Sequence, residues 1–276
     1  MITDTIKPDL VLQLEMTEIN AWIDIYKAAP TEYAQQYQLQ VKHLESVVIL
    51  LCKAIPFRHF NSVMGLGLRE PATEQLVDEV LEVFEQETIN AFYIHLIPPC
   101  QPDSLADWLQ SRNLKLLGSW DRIYRDGAPL LTSKSPDSNF RVERVTSETA
   151  SDWAGYIDSI YGLPTKPWLM ALVGRDGWHH YILRQGTEIV AARSMYLDSS
   201  GIAWLGIDAP VPGVMAPSYD LDDQICREIV EAGLRLGARY FITDIEAPAS
   251  TMETPAYHNF GALGFKRLYL RSNYGA

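Results

Sequence analysis

Hydrophobic and polar positions along the first half of the chain form patterns that predict both helices and strands. Between Ile19 and Tyr26, apolar residues fall three and four positions apart, which is typical of one helix face. The five aliphatic residues 47–51 predict a buried strand. Thr73 precedes an acidic first turn and an apolar stripe, so it predicts the cap of an amphipathic helix. The other elements predicted in this half are extended segments at 60–68, 91–97 and 115–124, and a short helix around 105–109.

The second half shows the same kinds of pattern in a similar order. Gln185-Gly186 separates two strand-like runs and predicts a hairpin turn. Gly237 follows the apolar stripe of a helix and predicts its C-terminal cap. The predicted strands are 140–145, 179–183, 188–196, 202–207, 240–245 and 265–274, and the predicted helices are 147–160, 164–173, a segment from about 220 to 236, and 256–263.

The late parts of the two halves resemble each other. Phe92–Pro99 matches Tyr240–Pro248 in its order of aromatic, aliphatic and proline residues. Each segment follows a strand that ends in glycine, at Gly67 and at Gly206, and then a longer amphipathic helix. A repeat of this length indicates a duplicated domain, because solenoid units recur every few dozen residues.

A linker is predicted between the two copies. Residues 126–139 are rich in Pro, Ser, Gly and Asp and have no periodicity. The sequence therefore predicts two α/β domains with mixed sheets, at residues 1–130 and 139–276.

Composition and charge exclude several classes of partner. The 276 residues carry a formal net charge of −12 and no cluster of Lys and Arg, which argues against binding to nucleic acid and to anionic membranes. The first 14 residues do not read as a signal peptide, and Val47–Cys52 is too short to span a bilayer, so a cytoplasmic protein is expected. The three cysteines are widely spaced, and His179-His180 point to opposite faces of a strand, so no metal site is predicted.

Two segments carry a resemblance to a known family. Thr254–Phe265, which ends in Leu-Gly-Phe, resembles the late helix and terminal signature of the GNAT acyltransferases, and Leu268–Tyr274 resembles the closing strands of two-domain members. In the first half, Phe60–Glu74 is similar to a segment of tandem GNAT proteins, a group that includes mycothiol synthase-like enzymes. The resemblance implies two GNAT-like folds in tandem, an acyl-CoA donor (acetyl-CoA is the expected one) and a small amine acceptor.

The resemblance also implies where the donor is held. In such a fold two parallel strands part, the pantetheine arm pairs with one of them, and the pyrophosphate lies at a helix N-terminus. The parting strand is expected at Ala203–Ile207 and the phosphate helix near Asp220. The expected donor-binding residues are Leu205, Gly206, Ile207, Gly213 and Asn259.

The loop before the expected phosphate helix departs from the family pattern. Residues 208–223 contain one glycine, Gly213, and three prolines in place of a basic glycine-rich loop. Asp220, Asp222 and Asp223 would repel a pyrophosphate, although acids at a helix start also suit the helix dipole. The first half has only residues 68–72 between Gly67 and Thr73, too short for a phosphate cradle, so it is expected to be a scaffold.

Three side chains are candidates for the chemistry, and two for acceptor binding. Asp244 and Glu246 lie two apart at a strand end and are expected to act as base or amine anchor, with mutual repulsion raising one pKa. Phe260 occupies the family's usual acid position, so Tyr257, on the same helix, is the alternative acid. Trp204 and His258 are the expected contacts to the acceptor.

Two functions remain open from the sequence. The first is an acyl-CoA-dependent N-acetyltransferase, acting as a monomer or homodimer on a small-molecule amine. The alternative is a catalytically silent tandem GNAT protein that binds a small ligand or a protein partner. Fold resemblance supports the first, and the acidic, proline-rich loop and Phe260 support the second.

Overall fold

A computed structural model describes residues 7–131, 139–210, 219–246 and 255–276. The chain divides into two compact units. Unit 1 comprises Met1–Asp121 and Tyr269–Ala276, and unit 2 comprises Arg122–Leu268. Both units are α/β, with helices packed on a mixed sheet, as the sequence predicts.

Unit 1 begins with two helices and continues with alternating strands and helices. Its elements are α1 (Pro8–Ala28), α2 (Thr31–Tyr37), β1 (Leu39–Leu44), β2 (Val47–Cys52), a 3-10 turn (Arg58–Phe60), β3 (Ser62–Met64), α3 (Glu74–Glu87), β4 (Tyr93–Leu96), α4 (Leu105–Ser111) and the first residues of β5 (Lys115–Asp126). Strands β1, β2 and β3 pair antiparallel in chain order, and β3 pairs parallel with β4.

The local signals in unit 1 act as predicted at several points. The Thr73 hydroxyl accepts a hydrogen bond from the Leu76 amide at 3.1 Å, which caps α3. Every residue of β2 is buried, which accounts for its uniformly apolar sequence. The sequence analysis did not predict α2 and β1, because Pro30 was taken only as the end of a helix. Pro30 also precedes the first turn of α2.

Unit 2 starts within β5 and carries the longer strands. Its further elements are β6 (Phe140–Arg144), α5 (Ala150–Tyr161), α6 (Lys166–Met170), β7 (Trp178–Gln185), β8 (Glu188–Leu197), β9 (Ile202–Ala209), α7 (Tyr219–Arg235), β10 (Tyr240–Glu246), α8 (Pro255–Ala262) and the start of β11 (Lys266–Gly275). The strand order is β5-β10-β9-β8-β7-β6. Gly237 follows α7 with φ of 92°, the left-handed conformation expected of a C-terminal cap.

The compact units do not follow the predicted ranges at the C-terminus. The predicted second domain, 139–276, includes residues 269–276, but these lie in unit 1, where Ser272 of β11 pairs with Leu96 of β4. Conversely, Arg122–Asp126 of β5 belong to unit 2. The strands of each unit thus include a segment from the other half of the sequence. Local sequence patterns carry no information about such distant pairing.

One face of the unit 2 sheet is covered by α7 and α8. Their apolar residues form a buried core with alternate strand residues, among them Met195, Leu205 and Phe241. The opposite face carries a row of aromatic side chains that begins with Trp178 and Tyr196. Strand alternation therefore separates a helix-packed face from an aromatic face, and the strand β9 contributes to both.

Candidate functional site

The parallel strands β9 and β10 part in the middle of unit 2. They pair at Tyr240↔Ile202, Phe241↔Ala203 and Ile242↔Trp204. Both strands then continue, β9 to Ala209 and β10 to Glu246, with no further paired positions recorded between them in this described stretch. Pairing therefore ends beside Leu205 and Gly206, at the point where an opening was expected. Strand backbone without a neighbouring strand can pair with an extended ligand.

A β-bulge lies at the centre of this opening. Ser194 of β8 faces Gly206 and Ala192 faces Ala209, so two residues of β9, Ile207 and Asp208, oppose one residue of β8. Ile207 has a φ of 52°, in the left-handed region that non-glycine residues seldom adopt. Bulges of this kind re-aim backbone groups and occur often at functional sites.

Contacts from two other elements hold the bulge. The Tyr161 hydroxyl, at the end of α5, donates to the Asp208 carbonyl oxygen at 2.5 Å. The Arg193 guanidinium, which is buried in β8, lies 3.7 Å from a carboxylate oxygen of Asp208. A backbone held at such an unfavourable φ persists only where surrounding contacts fix it.

The indole of Trp204 covers Gly206. Side chains two residues apart share one face of a strand. A Cβ atom added at Gly206 would stand 2.3 Å from both Cη2 and Cζ2 of Trp204, so only glycine fits beneath the ring. Trp204 is only 5% exposed and meets Trp178 edge-on, with ring centroids 6.3 Å apart.

Asp244, predicted to act as base or amine anchor, is paired with a buried arginine. Arg122 Nε lies 2.8 Å from Oδ1 of Asp244, and Arg122 Nη2 lies 3.1 Å from Oδ2. Arg122 is fully buried, so water does not screen this two-point contact. A guanidinium in that position stabilises the ionised carboxylate, which suits Asp244 as a fixed anion and disfavours it as a proton acceptor. The expected repulsion with Glu246 is untested, because the Glu246 side chain lies outside the described part.

The residues of the late helix α8 that were singled out in the sequence differ in their burial. Phe260, at the family's usual acid position, is 3% exposed and packs against Phe265 with ring centroids 5.1 Å apart. Tyr257 is half-buried against the same core. Asn259 is buried and His258 is exposed. Phe260 is therefore a core residue, and α8 presents Tyr257 and His258 as its more accessible polar groups.

The expected phosphate site is described only in part. Gly213 and residues 211–218 lie outside the described residues, as do the side chains of Asp220 and Asp222. Within the described part of α7, Arg227 Nη2 lies 3.3 Å from Asp223 Oδ1. Arg227 thus partly neutralises one of the three acids that were expected to repel a pyrophosphate.

Sequence reasoning missed those residues of the candidate site whose partners are remote in sequence. Arg122 is 122 positions away from Asp244, and Tyr161 is 47 away from Asp208. The one usable signal was the position of Arg122 inside a predicted extended segment, since an arginine that is buried in a strand requires an anionic partner.

Unit 1 has a corresponding parting of β3 and β4, but side chains fill it. These strands pair at Ser62↔Tyr93 and Val63↔Ile94, after which β3 ends at Met64. The remaining cavity is only about 10 Å³ and is lined by Glu15, His95 and Arg271, among others. Burial lowers the pKa of His95 to about 3, so this imidazole is neutral at physiological pH. Space for one water molecule is too little for a thioester arm.

The described part of the chain was predicted to contain neither a metal site nor a membrane-spanning helix. In the described ranges, no group of three or more His, Cys, Asp or Glu side chains is arranged to hold a metal ion. No helix within those ranges is long and apolar enough to cross a membrane.

Comparison with known proteins identifies the fold. No family model and no curated protein matches this sequence. Among solved structures, a GCN5-related N-acetyltransferase from Kribbella flavida superposes with a TM-score of 0.56 at 13% identity, covering 86% of this chain and 89% of that one. The fold is that of the GNAT proteins.

Other GNAT structures superpose over similar lengths. A GCN5-related N-acetyltransferase from Sphaerobacter thermophilus gives a TM-score of 0.57 at 11% identity, covering 88% and 84% of the two chains. A tandem GNAT protein from the clavulanic acid biosynthesis pathway gives 0.54 at 13% identity, covering 83% of this chain and 77% of its own. The predicted GNAT fold is thereby confirmed. Activity does not follow from fold alone.

Proposed function

We propose that unit 2 transfers an acetyl group from acetyl-CoA to the amine of a small molecule. The amine nitrogen attacks the thioester carbonyl carbon, a C–N bond forms and the C–S bond breaks. The amine loses one proton and the thiolate of CoA gains one, so the products are an amide and free CoA. The observation that carries the proposal is the opening between β9 and β10 with the bulge at its centre.

The residues of β9 fit the donor in two respects. Beyond Ile242↔Trp204 the strand continues without β10 beside it, so backbone groups of Leu205, Gly206 and Ile207 can pair with the amides of a pantetheine arm. The bulge at Ile207 and Asp208 interrupts the pairing of β9 with β8, so it can turn backbone groups of β9 toward the donor. Gly213 and Asn259 are the further proposed donor contacts, the first in the segment before α7 and the second on α8.

The ion pair in unit 2 supports different proposed roles for the two carboxylates. Because Arg122 holds Asp244 as an anion, Asp244 is proposed as the group that attracts and orients the cationic amine. Glu246, two positions further along β10, is then the proposed base that removes the amine proton. Tyr257 is the proposed acid for the leaving thiolate, and Trp204 and His258 are the proposed acceptor contacts.

Binding of the donor and release of CoA test the proposal together. With acetyl-CoA at 100 times its Kd, the free energy of unfolding should rise by about 2.7 kcal/mol, visible as a higher melting temperature. Release of free thiol should require both acetyl-CoA and an amine from a panel of small polyamines and amino sugars. No thermal shift at millimolar acetyl-CoA would contradict the proposal.

A specific observation favours a second candidate. Phe260 stands at the usual acid position and is built into the core, so this position supplies no proton donor. A silent GNAT protein that binds a small ligand or a protein partner would share that feature. Donor binding without thiol release in the same assay would favour this second function.

A further inference from the structure

The helix α5 lies against the aromatic face of the unit 2 sheet. Its residue Trp153 packs on the ring of His180, at a centroid distance of 4.1 Å. His180 in turn stacks on Trp178 of the aromatic face, with the ring planes 12° apart. Tyr161 is the last residue of α5, so the end of this helix is held on the same side of the sheet.

The turn that follows Tyr161 is fixed by the carboxylate of Asp158. Oδ1 of Asp158 accepts hydrogen bonds from the amide of Thr165 at 2.8 Å and from its hydroxyl at 2.5 Å. Oδ2 accepts from the amide of Lys166 at 2.8 Å. Hydrogen bonds to a charged acceptor are about twice as strong as those between neutral groups. Contacts on both sides of Tyr161 in the sequence therefore fix where its side chain begins.

The hydroxyl of Tyr161 supplies a hydrogen bond that the bulge needs. Ile207 and Asp208 of β9 oppose one residue of β8, so the ladder is interrupted there. A carbonyl group at an interruption needs a donor from another element. The Tyr161 hydroxyl donates to the Asp208 carbonyl oxygen at 2.5 Å. Because a peptide group is planar, holding this oxygen also fixes the direction of the Ala209 amide.

We infer that Tyr161 is a positioning residue for the donor, because its bond to Asp208 holds the β9 backbone in the conformation with which acetyl-CoA pairs. This inference rests on the proposed function. Ile207, a proposed donor contact, directly precedes Asp208 and has a φ of 52°, which persists only where surrounding contacts fix it. Without the hydroxyl, the segment adopts other conformations, and only the molecules that keep the original one bind the donor.

Tyr161→Phe tests this role, because it removes the hydroxyl and keeps the ring. Titration calorimetry should show that the Kd for acetyl-CoA rises about tenfold, as follows when about a tenth of the molecules keep the competent conformation. In the thiol-release assay the KM for acetyl-CoA should rise by a similar factor, while the KM for the amine changes less than twofold. Hydrogen–deuterium exchange at residues 205–209 should be faster in the free variant than in the free wild type.

Tyr26→Phe is the matched control. Tyr26 of unit 1 also donates its hydroxyl to a backbone carbonyl, that of Phe60, so both variants lose the same kind of hydrogen bond. Both should lower the melting temperature, but Tyr26→Phe should leave the Kd for acetyl-CoA within twofold of the wild type. The contrast between the two variants separates the position of the Tyr161 bond from the general loss of a hydrogen bond. Circular dichroism verifies that each variant is folded.

The outcomes separate this inference from the proposed function. If no acetyl-CoA binds to the wild type, the proposed function fails, and the inference fails with it. If the wild type binds acetyl-CoA but Tyr161→Phe binds it as tightly as Tyr26→Phe does, the inference alone is overturned. An equal rise in the KM values of both substrates, or unchanged exchange at residues 205–209, would also overturn it.

Discussion

The two units place a glycine at the same point of the same strand pair, and then diverge. Val63 of β3 pairs with Ile94, and Trp204 of β9 pairs with Ile242, so Gly65 and Gly206 each lie two residues beyond the paired valine or tryptophan. In unit 1 the strand ends at Met64, and Gly65 turns the chain with φ of 83°. In unit 2 the strand continues past Gly206 through a bulge. In unit 2 the strand thus extends well beyond its last paired position, which the proposed pairing with a ligand requires.

The opening in unit 1 also differs from that in unit 2 because side chains fill it. In unit 1, Glu15, His95 and Arg271 line a residual cavity of about 10 Å³. The Tyr269 hydroxyl donates a hydrogen bond to the Glu15 carboxylate, and Arg271 Nη1 lies 2.7 Å from a carboxylate oxygen of Glu18. These contacts tie the segment 269–276 into unit 1. The comparison shows that parted strands alone do not make a ligand site, because side chains can take the space.

The β5 segment in unit 2 and the β11 segment in unit 1 each carry a buried arginine with a carboxylate partner. Arg271 of β11 pairs with Glu18 of α1, and Arg122 of β5 pairs with Asp244 of β10. The partner in unit 1 belongs to a helix, whereas the partner in unit 2 lies at the edge of the opening. The arginine–carboxylate pair of unit 1 therefore joins a strand to a helix, whereas the pair of unit 2 lies next to the residues proposed for the chemistry.

The largest expected effect is on stability, and it should be similar in both units. Arg122→Met and Arg271→Met each leave a buried carboxylate without its cation, which typically costs about 3–5 kcal/mol. Urea unfolding monitored by fluorescence measures the loss. The double variant Arg122→Met/Asp244→Leu should recover most of it. A loss below about 1 kcal/mol for either single variant would show that the pair is not buried in solution.

Asp244→Asn tests the proposed role of the ion pair in unit 2. Asparagine keeps the shape but loses the charge that is proposed to orient the amine, so we expect kcat/KM to fall by about 100-fold, or about 2.7 kcal/mol. Asp198→Asn is the control. Its Oδ1 accepts from the Ser200 and Ile202 amides in the β8–β9 turn, and an asparagine oxygen preserves those bonds. Equal effects of the two changes on thiol release would remove Asp244 from the site.

Matched glycine substitutions sharpen the contrast between the two openings. Gly206→Ala forces a methyl group against the Trp204 ring and should cost about 1–3 kcal/mol of stability while also weakening acetyl-CoA binding. Gly65→Ala is strained by its φ of 83° and should cost about 1 kcal/mol without any effect on donor binding. Thermal melts with and without acetyl-CoA measure both. Weakened donor binding in Gly65→Ala would place the donor in unit 1.

The last expected effect concerns pH and grows gradually as the solution becomes more acidic. Burial lowers the pKa of His95 in unit 1 and of His180 in unit 2 to about 3 each, below the unfolded value near 6.5. Between those values the unfolded chain binds the proton and the folded chain does not, so stability is complete above pH 6.5 and declines as pH falls.

Each of these histidines should contribute up to about 1.4 kcal/mol of stability loss per pH unit in that range. Urea unfolding between pH 7 and pH 4.5 measures the slope. His95→Gln and His180→Gln should each reduce the slope of stability against pH by the amount that corresponds to about one proton. An unchanged slope in either variant would mean that the imidazole in question is protonated in the folded protein.

Much of the fold followed from local sequence signals. The cap at Thr73, the turn at Gln185-Gly186 and the C-terminal glycine at Gly237 were predicted because each depends on residues only a few positions apart. The strand segment at which β9 parts from β10 came from the resemblance to the GNAT proteins rather than from periodicity.

The remaining features depend on contacts between distant residues. The bulge at Ile207 exists because β8 and β9 pair out of step, and register across strands is not visible in one strand's sequence. The pairing of Arg122 with Asp244 and the placement of residues 269–276 in unit 1 are equally non-local. Of the two roles expected for Asp244, base or amine anchor, the pairing with Arg122 favours the anchor.

Hydrogen–deuterium exchange with and without acetyl-CoA tests the central claim most directly, because it reports on backbone amides one segment at a time. The account predicts that saturating acetyl-CoA slows exchange in the peptide that covers residues 205–209 of β9 and leaves residues 62–66 of unit 1 unchanged. Unaltered exchange at 205–209 under saturating donor, or protection confined to 62–66, would contradict it.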